Sequence, residues 1–259
     1  MSTNILTKRI EAARAQGRLA LIPFLPGGYP DKKRFWDEID KLDHSGADVI
    51  EIGMPFSDPV ADGPVVEHAS LKCLEAGVSL AWILSELAAR KGRYQAGIVL
   101  MGYLNPVLQY GLARFAKDAA SAGAHGVILA DVPFEESDPI HAAFDPEGLA
   151  LIPLVGLNTT PERMALYGSK AKGFAYFVSV LGTTGVRASF DTGLPPEVTR
   201  GLESAKKAFD VPVALGFGLK RPEQLAGLHG LADAAVFGSA LIRHIDGGGD
   251  AAGFMQVWK

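Results

Sequence analysis

A chain of 259 residues with 48% apolar and 21% charged side chains can bury a large core, which excludes global disorder. Its net charge of −4 argues against a surface built to follow a nucleic-acid backbone, since that requires clustered Lys and Arg. The single cysteine, Cys73, excludes an internal disulfide, and no apolar window is long enough to span a bilayer. The first residues lack the apolar core and cleavage site of a signal peptide, so a cytoplasmic protein is expected. The six histidines show no paired ligand spacing, and no metal site is expected.

In chain order, Leu6, Ile10 and Ala13 recur at helical spacing before Gly17 and predict an N-terminal helix able to cover one end of the fold. Short apolar runs then predict strands over 19–24, 49–53, 98–101, 127–130, 151–155, 174–178, 213–216 and 235–237. Helical patterns fall between them, for example over 33–45, 80–89, 112–122, 161–167, 196–209 and 222–228. Pro161, Pro196 and Pro222 stand where a first helical turn tolerates a missing N–H, and Gly46, Gly123 and Gly168 mark exits. The run from Asp246 to Asp250 reads as a flexible break before a short final segment over 254–258. Eight strands alternating with helices predict one α/β domain over residues 1–259, a (β/α)8 TIM barrel with an extra N-terminal helix. A doubly wound sheet is the competitor, but Pro26-Gly-Gly-Tyr-Pro30 after the first strand lacks the dinucleotide spacing.

The phrase Glu51-Ile-Gly-Met-Pro-Phe-Ser-Asp-Pro-Val-Ala-Asp62-Gly-Pro carries the chemistry. Strand side chains alternate faces, so if Ile50 and Ile52 point to the helix layer, Val49 and Glu51 point into the barrel. Glu51 then lies near the carboxyl-end mouth, where barrel enzymes place catalytic groups. No predicted strand interior supplies a cation to pair with it, which favours catalysis over a structural ion pair. Asp62 reads equally as an Asp-Gly turn residue, and Asp58 as a loop cap. Gly182-Thr-Thr-Gly185, Gly216-Phe-Gly218 and Gly238-Ser239 are glycine-rich junctions, the last two after strands seven and eight. Barrels commonly hold a phosphate there on backbone N–H groups, although the same glycines serve as tight turns and Ser239 as an N-cap.

Five phrases resemble the tryptophan synthase α subunit family: residues 55–64, residues 130–137, Gly182-Thr-Thr-Gly185, Gly216-Phe-Gly218 and Gly238-Ser239. The similarity runs over nearly the whole chain. It implies a barrel lyase of tryptophan biosynthesis that cleaves indole-3-glycerol phosphate to indole and glyceraldehyde 3-phosphate, in an α2β2 complex with a β subunit. Pyridoxal phosphate would belong to that partner, with no cofactor in this chain. By matching motif positions, Glu51 and Asp62 would be the catalytic acids. Gly185, Gly218, Gly238 and Ser239 would hold the phosphate with Gly216 beside them, and Thr184 would sit on the loop after strand six. Phe24, Tyr103, Leu129 and Tyr176 would surround the indole and glycerol. Asp58 and Pro59 would face the β subunit, and Asp131 would assist loop closure. The chain departs from the family at Val180-Leu181, where Arg-Thr or Arg-Ser is common, and at Gly156-Leu-Asn-Thr-Thr160. Competing readings are another phosphate-binding barrel, a standalone lyase and a regulatory barrel that only activates a partner. A Schiff-base aldolase would need a mouth lysine that no predicted strand carries.

Overall fold

Nine parallel strands form the centre of the computed structural model, which describes residues 4–179, 194–216, 219 and 221–258. They are β1 (Ala20–Pro26), β2 (Val49–Gly53), β3 (Gly97–Gly102), β4 (Gly126–Leu129), β5 (Ala150–Leu151), β6 (Leu154–Gly156), β7 (Ala175–Val178), β8 (Val213–Gly216) and β9 (Ala234–Phe237). The ladder runs β5-β4-β3-β2-β1-β9-β8-β7-β6. Its two ends, β5 and β6, are halves of one chain passage. Ile152 N donates to Val127 O at 2.9 Å on one side, and Tyr176 N donates to Pro153 O at 2.9 Å on the other. The ring therefore closes as an eight-position barrel. Pro153 has no N–H to give, which interrupts the predicted fifth strand and yields nine segments where eight were expected.

The two faces of the sheet separate as alternation requires. Val49, Val99, Ile128, Phe174 and Val236 pack inside the barrel, whereas Ile50, Ile52, Leu100, Val127 and Phe177 pack under the helices. Leu6, Ile10 and Ala13 of helix Ile5–Ala15 join the inner cluster and close its amino-terminal end. Strands β3 and β4 both start on glycine, and a Cβ there would lie 2.7 Å and 2.8 Å from the Leu6 side chain. Leu6 fits because those two positions carry nothing.

Asp48, His125 and Asp233 stand at the feet of β2, β4 and β9. Each side chain accepts the N–H at or near the start of the preceding barrel strand: Leu21 at 2.9 Å, Ile98 at 3.0 Å and Val213 at 2.8 Å. Arg18 pairs with Asp48, and Arg14 and Lys206 pair with Asp233, so these buried carboxylates are not left bare.

The junction read as a flexible break is an ordered corner. Helix Ser239–Asp246 ends there and helix Ala251–Trp258 begins. Glu38, buried on helix Lys32–His44, accepts Ala251 N at 2.6 Å, and Asp250 accepts Gly253 N at 2.8 Å. Lys41 reaches both carboxylates. Three glycines gave no hint of a distant glutamate that supplies the missing cap. Among the described residues no helix is long and apolar enough to cross a membrane.

Candidate active site

Glu51 is paired in register between Phe24 of β1 and Val99 of β3, at the middle of β2. Its side chain is fully buried, and neither carboxylate oxygen has a hydrogen-bond partner among the described residues. A charge is expensive in that setting, so burial, and then the neighbouring Asp62 charge, push its pKa up to about 8. Glu51 is consequently a neutral acid at neutral pH.

Asp62 comes from the loop that follows β2. Two short turns fold that loop, with Val60 N donating to Asp58 O and Asp62 N donating to Pro59 O, both at 2.9 Å. Burial raises Asp62 to about 6; a Tyr103 hydrogen bond opposes this, and Glu67 adds to it. The two carboxyl groups thus have separated titrations in one place, and a single proton near pH 7 resides mainly on Glu51.

Both acids line a cavity of about 510 Å³ together with Phe24, Tyr176, Gly238 and Ser239. A smaller recess of about 260 Å³ lies behind Asp62 and is bounded by Gly53, Gly102 and Tyr103. The Tyr176 phenol is pushed upward by burial and by the nearby Glu51 and Asp62 charges. No basic side chain lines the described wall of the larger cavity. Among the described residues no group of three His, Cys, Asp or Glu side chains could hold a metal.

The glycines at the mouth have a packing role of their own. A Cβ on Gly216 would lie 2.1 Å from the Tyr176 ring. One on Gly53 or Gly238 would lie 2.9 Å or 2.7 Å from the Phe24 ring, which is seated between them. Gly238 also caps helix Ser239–Asp246, whose first residue faces the cavity. The Gly238–Ser239 junction therefore offers helix N–H groups to an anion while leaving space for the Phe24 ring.

Leu129 is a correction. Ile128 takes the inward position of β4, so Leu129 points to the helix layer and lines a separate cavity with Leu151, Pro153 and Tyr167. Asp58 is exposed beside Ser57 and Pro59 is half-buried, while Asp131 accepts the Leu104 N–H at 2.8 Å. Thr184, Gly185 and Gly218, together with Val180-Leu181, lie outside the described residues. Met101, Val66 and Val236 also line the cavity. The strand alternation that exposes Glu51 would have found Met101, two positions beyond Val99, and Val236, two beyond Ala234.

The chain matches the family described as tryptophan synthase alpha chain over residues 10–255. A tryptophan synthase alpha chain of Maridesulfovibrio salexigens is 61% identical over 259 residues, covering 100% of both chains. One from Solidesulfovibrio magneticus is 62% identical, again over 100% of both. Among solved structures, Mycobacterium tuberculosis tryptophan synthase superimposes with a TM-score of 0.89 at 33% identity, covering 99% of this chain and 96% of that one. The alpha chain from Legionella pneumophila gives 0.85 at 32% identity, covering 99% and 94%.

Proposed function

The chain belongs to the tryptophan synthase alpha chain family, barrel lyases of tryptophan biosynthesis, and we propose that its two-acid cavity cleaves indole-3-glycerol phosphate to indole and glyceraldehyde 3-phosphate. The observation that carries this reading is Glu51, fully buried, with no hydrogen-bond partner among the described residues, in the same cavity as Asp62. A dry, neutral carboxylic acid is suited to giving a proton to carbon, and a second carboxylate opposite it to receiving an N–H.

Direct scission would leave a carbanion at indole C3. Glu51 avoids this by first donating its proton to C3, which makes the ring an electron-poor indoleninium. Asp62 accepts the ring N–H and stabilises the positive charge that protonation creates. The Glu51 carboxylate then removes the proton from the side-chain hydroxyl next to the ring. The C–C bond breaks, its electron pair returns to the ring, and neutral indole leaves with the aldehyde. Glu51 ends protonated, ready for another cycle.

Phe24 and Tyr176 supply flat apolar walls for the ring, and Gly238 with Ser239 supplies backbone and hydroxyl donors for the phosphate. Gly216, Gly185 and Gly218 are assigned to the same end of the ligand. The indole product would pass to a β subunit in an α2β2 complex, where the pyridoxal phosphate would reside; this chain's own groups need no cofactor for the two proton transfers. Exposed Asp58 and Val60, with Pro59 between them, offer the loop for that contact.

Incubation of the pure protein with indole-3-glycerol phosphate, with and without a β subunit, tests the reading. Indole and glyceraldehyde 3-phosphate in equal amounts, formed faster with the partner, is the expected outcome. Absence of indole under both conditions would overturn it.

A further inference from the structure

Three aromatic rings stand behind the Gly238–Ser239 junction. Val236 takes the inward position of β9, so Phe237 turns its ring to the helix layer, although the residue itself borders the cavity. There the ring stacks on Trp258, with centroids 4.6 Å apart and planes 24° apart, and it meets Phe254 at 5.4 Å. Phe254 and Trp258 are themselves stacked at 5.4 Å, which closes a triangle of buried rings. Gly238 thus lies between two aromatic walls. On the cavity side a Cβ on it would meet the Phe24 ring at 2.7 Å, and on the other side its chain neighbour is pinned by the triangle. Both outer rings come from helix Ala251–Trp258, which is anchored on helix Lys32–His44: Glu38 takes the Ala251 N–H, and Arg34 Nη2 donates to Gly249 O at 2.8 Å. Helix Ser239–Asp246 leaves the junction, and the chain returns through helix Ala251–Trp258 to set Trp258 against the residue that precedes it.

We propose that Trp258 is a positioning residue for the phosphate end of the cavity: stacked on Phe237, it fixes where the Gly238 and Ser239 N–H groups point. The proposal rests on the reading of that junction as the phosphate cradle. N–H groups held in place before the anion arrives bind it more tightly than groups that must first be ordered. An aliphatic side chain would fill the same space, but a stacked ring also fixes the tilt of Phe237. The coupling runs both ways, so a bound phosphate must in turn hold the stack. Its size is bounded by the worth of the stack itself, about twofold to tenfold in affinity.

Amide NMR of Gly238 and Ser239 in the full-length protein, titrated with inorganic phosphate, reads this without reference to turnover. Trp258→Leu keeps an apolar side chain and removes the flat ring, whereas Trp258→Phe keeps a ring. The phosphate dissociation constant should rise about fivefold in Trp258→Leu and stay within about twofold of the parent in Trp258→Phe. Indole, a probe of the apolar end, should bind all three proteins within about twofold, whereas a general loosening of the fold would weaken it too. In cleavage of indole-3-glycerol phosphate, KM should rise with the phosphate constant while kcat holds. In the parent, the Trp258 indole N–H signal should shift with the same phosphate midpoint as Gly238. A Trp258 signal indifferent to phosphate overturns the proposal without any variant. So does an unchanged phosphate affinity in folded Trp258→Leu, or an equal loss of indole and phosphate. Gly238 and Ser239 amides that ignore phosphate already in the parent would remove the cradle reading itself, and the proposal with it.

Discussion

Glu51 and Asp62 differ in how they are dried, and the proposed roles rest on that difference. Glu51 comes from a strand interior and is fully buried; Asp62 comes from a loop and is only partly buried. The pH dependence follows with a definite sign. In the proposed mechanism Glu51 acts first as an acid, so kcat/KM should fall as pH rises through about 8 and the proton is lost. In the same proposal Asp62 acts as a carboxylate, so kcat/KM should fall as pH drops through about 6. A pH–rate profile in the free-enzyme regime checks both limbs, and a flat profile between about pH 5 and 9 would contradict these assignments. Glu51 was legible from the sequence because alternation alone fixes its face. Asp62 was not, because Asp-Gly serves any turn and the cavity it shares with Glu51 is assembled from other strands. Leu129 was misplaced by one residue, and on a strand one residue reverses the face.

At the scale of elements, the mouth of the barrel is organised by rings that need glycine beside them. Phe24 fills the space left by Gly53 and Gly238, and Tyr176 the space left by Gly216. The sequence offers Gly216 and Gly238 as anion-cradling turns, and their second role depends on neighbours across the ladder. Gly216→Ala should displace the Tyr176 ring, with an overpacking cost of about 1–3 kcal/mol in chemical denaturation and a raised KM for the phosphorylated substrate. Unchanged stability and KM would show that the ring yields freely. Strand positions were readable because each is short, apolar and bounded by turn residues. The interruption at Pro153 and the ordered corner at Ala251 were not, since each depends on partners remote in sequence: Val127 and Tyr176 for the first, Glu38 for the second.

For the molecule as a whole, the proposed site and the closure occupy opposite ends of one barrel. Helix Ile5–Ala15 seals the amino-terminal end with Leu6 and Ile10, while Glu51 sits toward the carboxyl-terminal mouth. Stability and turnover should therefore separate. Ile10→Ala should cost about 2–5 kcal/mol in denaturant unfolding yet leave kcat within about twofold at temperatures where the protein stays folded. A large loss of kcat with retained folding would mean that the two ends are coupled. The barrel was legible from eight alternating units, and the seal from three apolar residues at helical spacing. That β3 and β4 begin on glycine to admit Leu6 becomes visible only in the folded chain.

The most direct test of a buried proton donor at position 51 is indole release by Glu51→Gln. That variant keeps the side chain's size and removes the transferable proton. Substrate affinity should stay close to that of the parent, while cleavage falls by at least about 10²–10⁴-fold. Cleavage at near-parental rate by a folded Glu51→Gln protein would contradict the account.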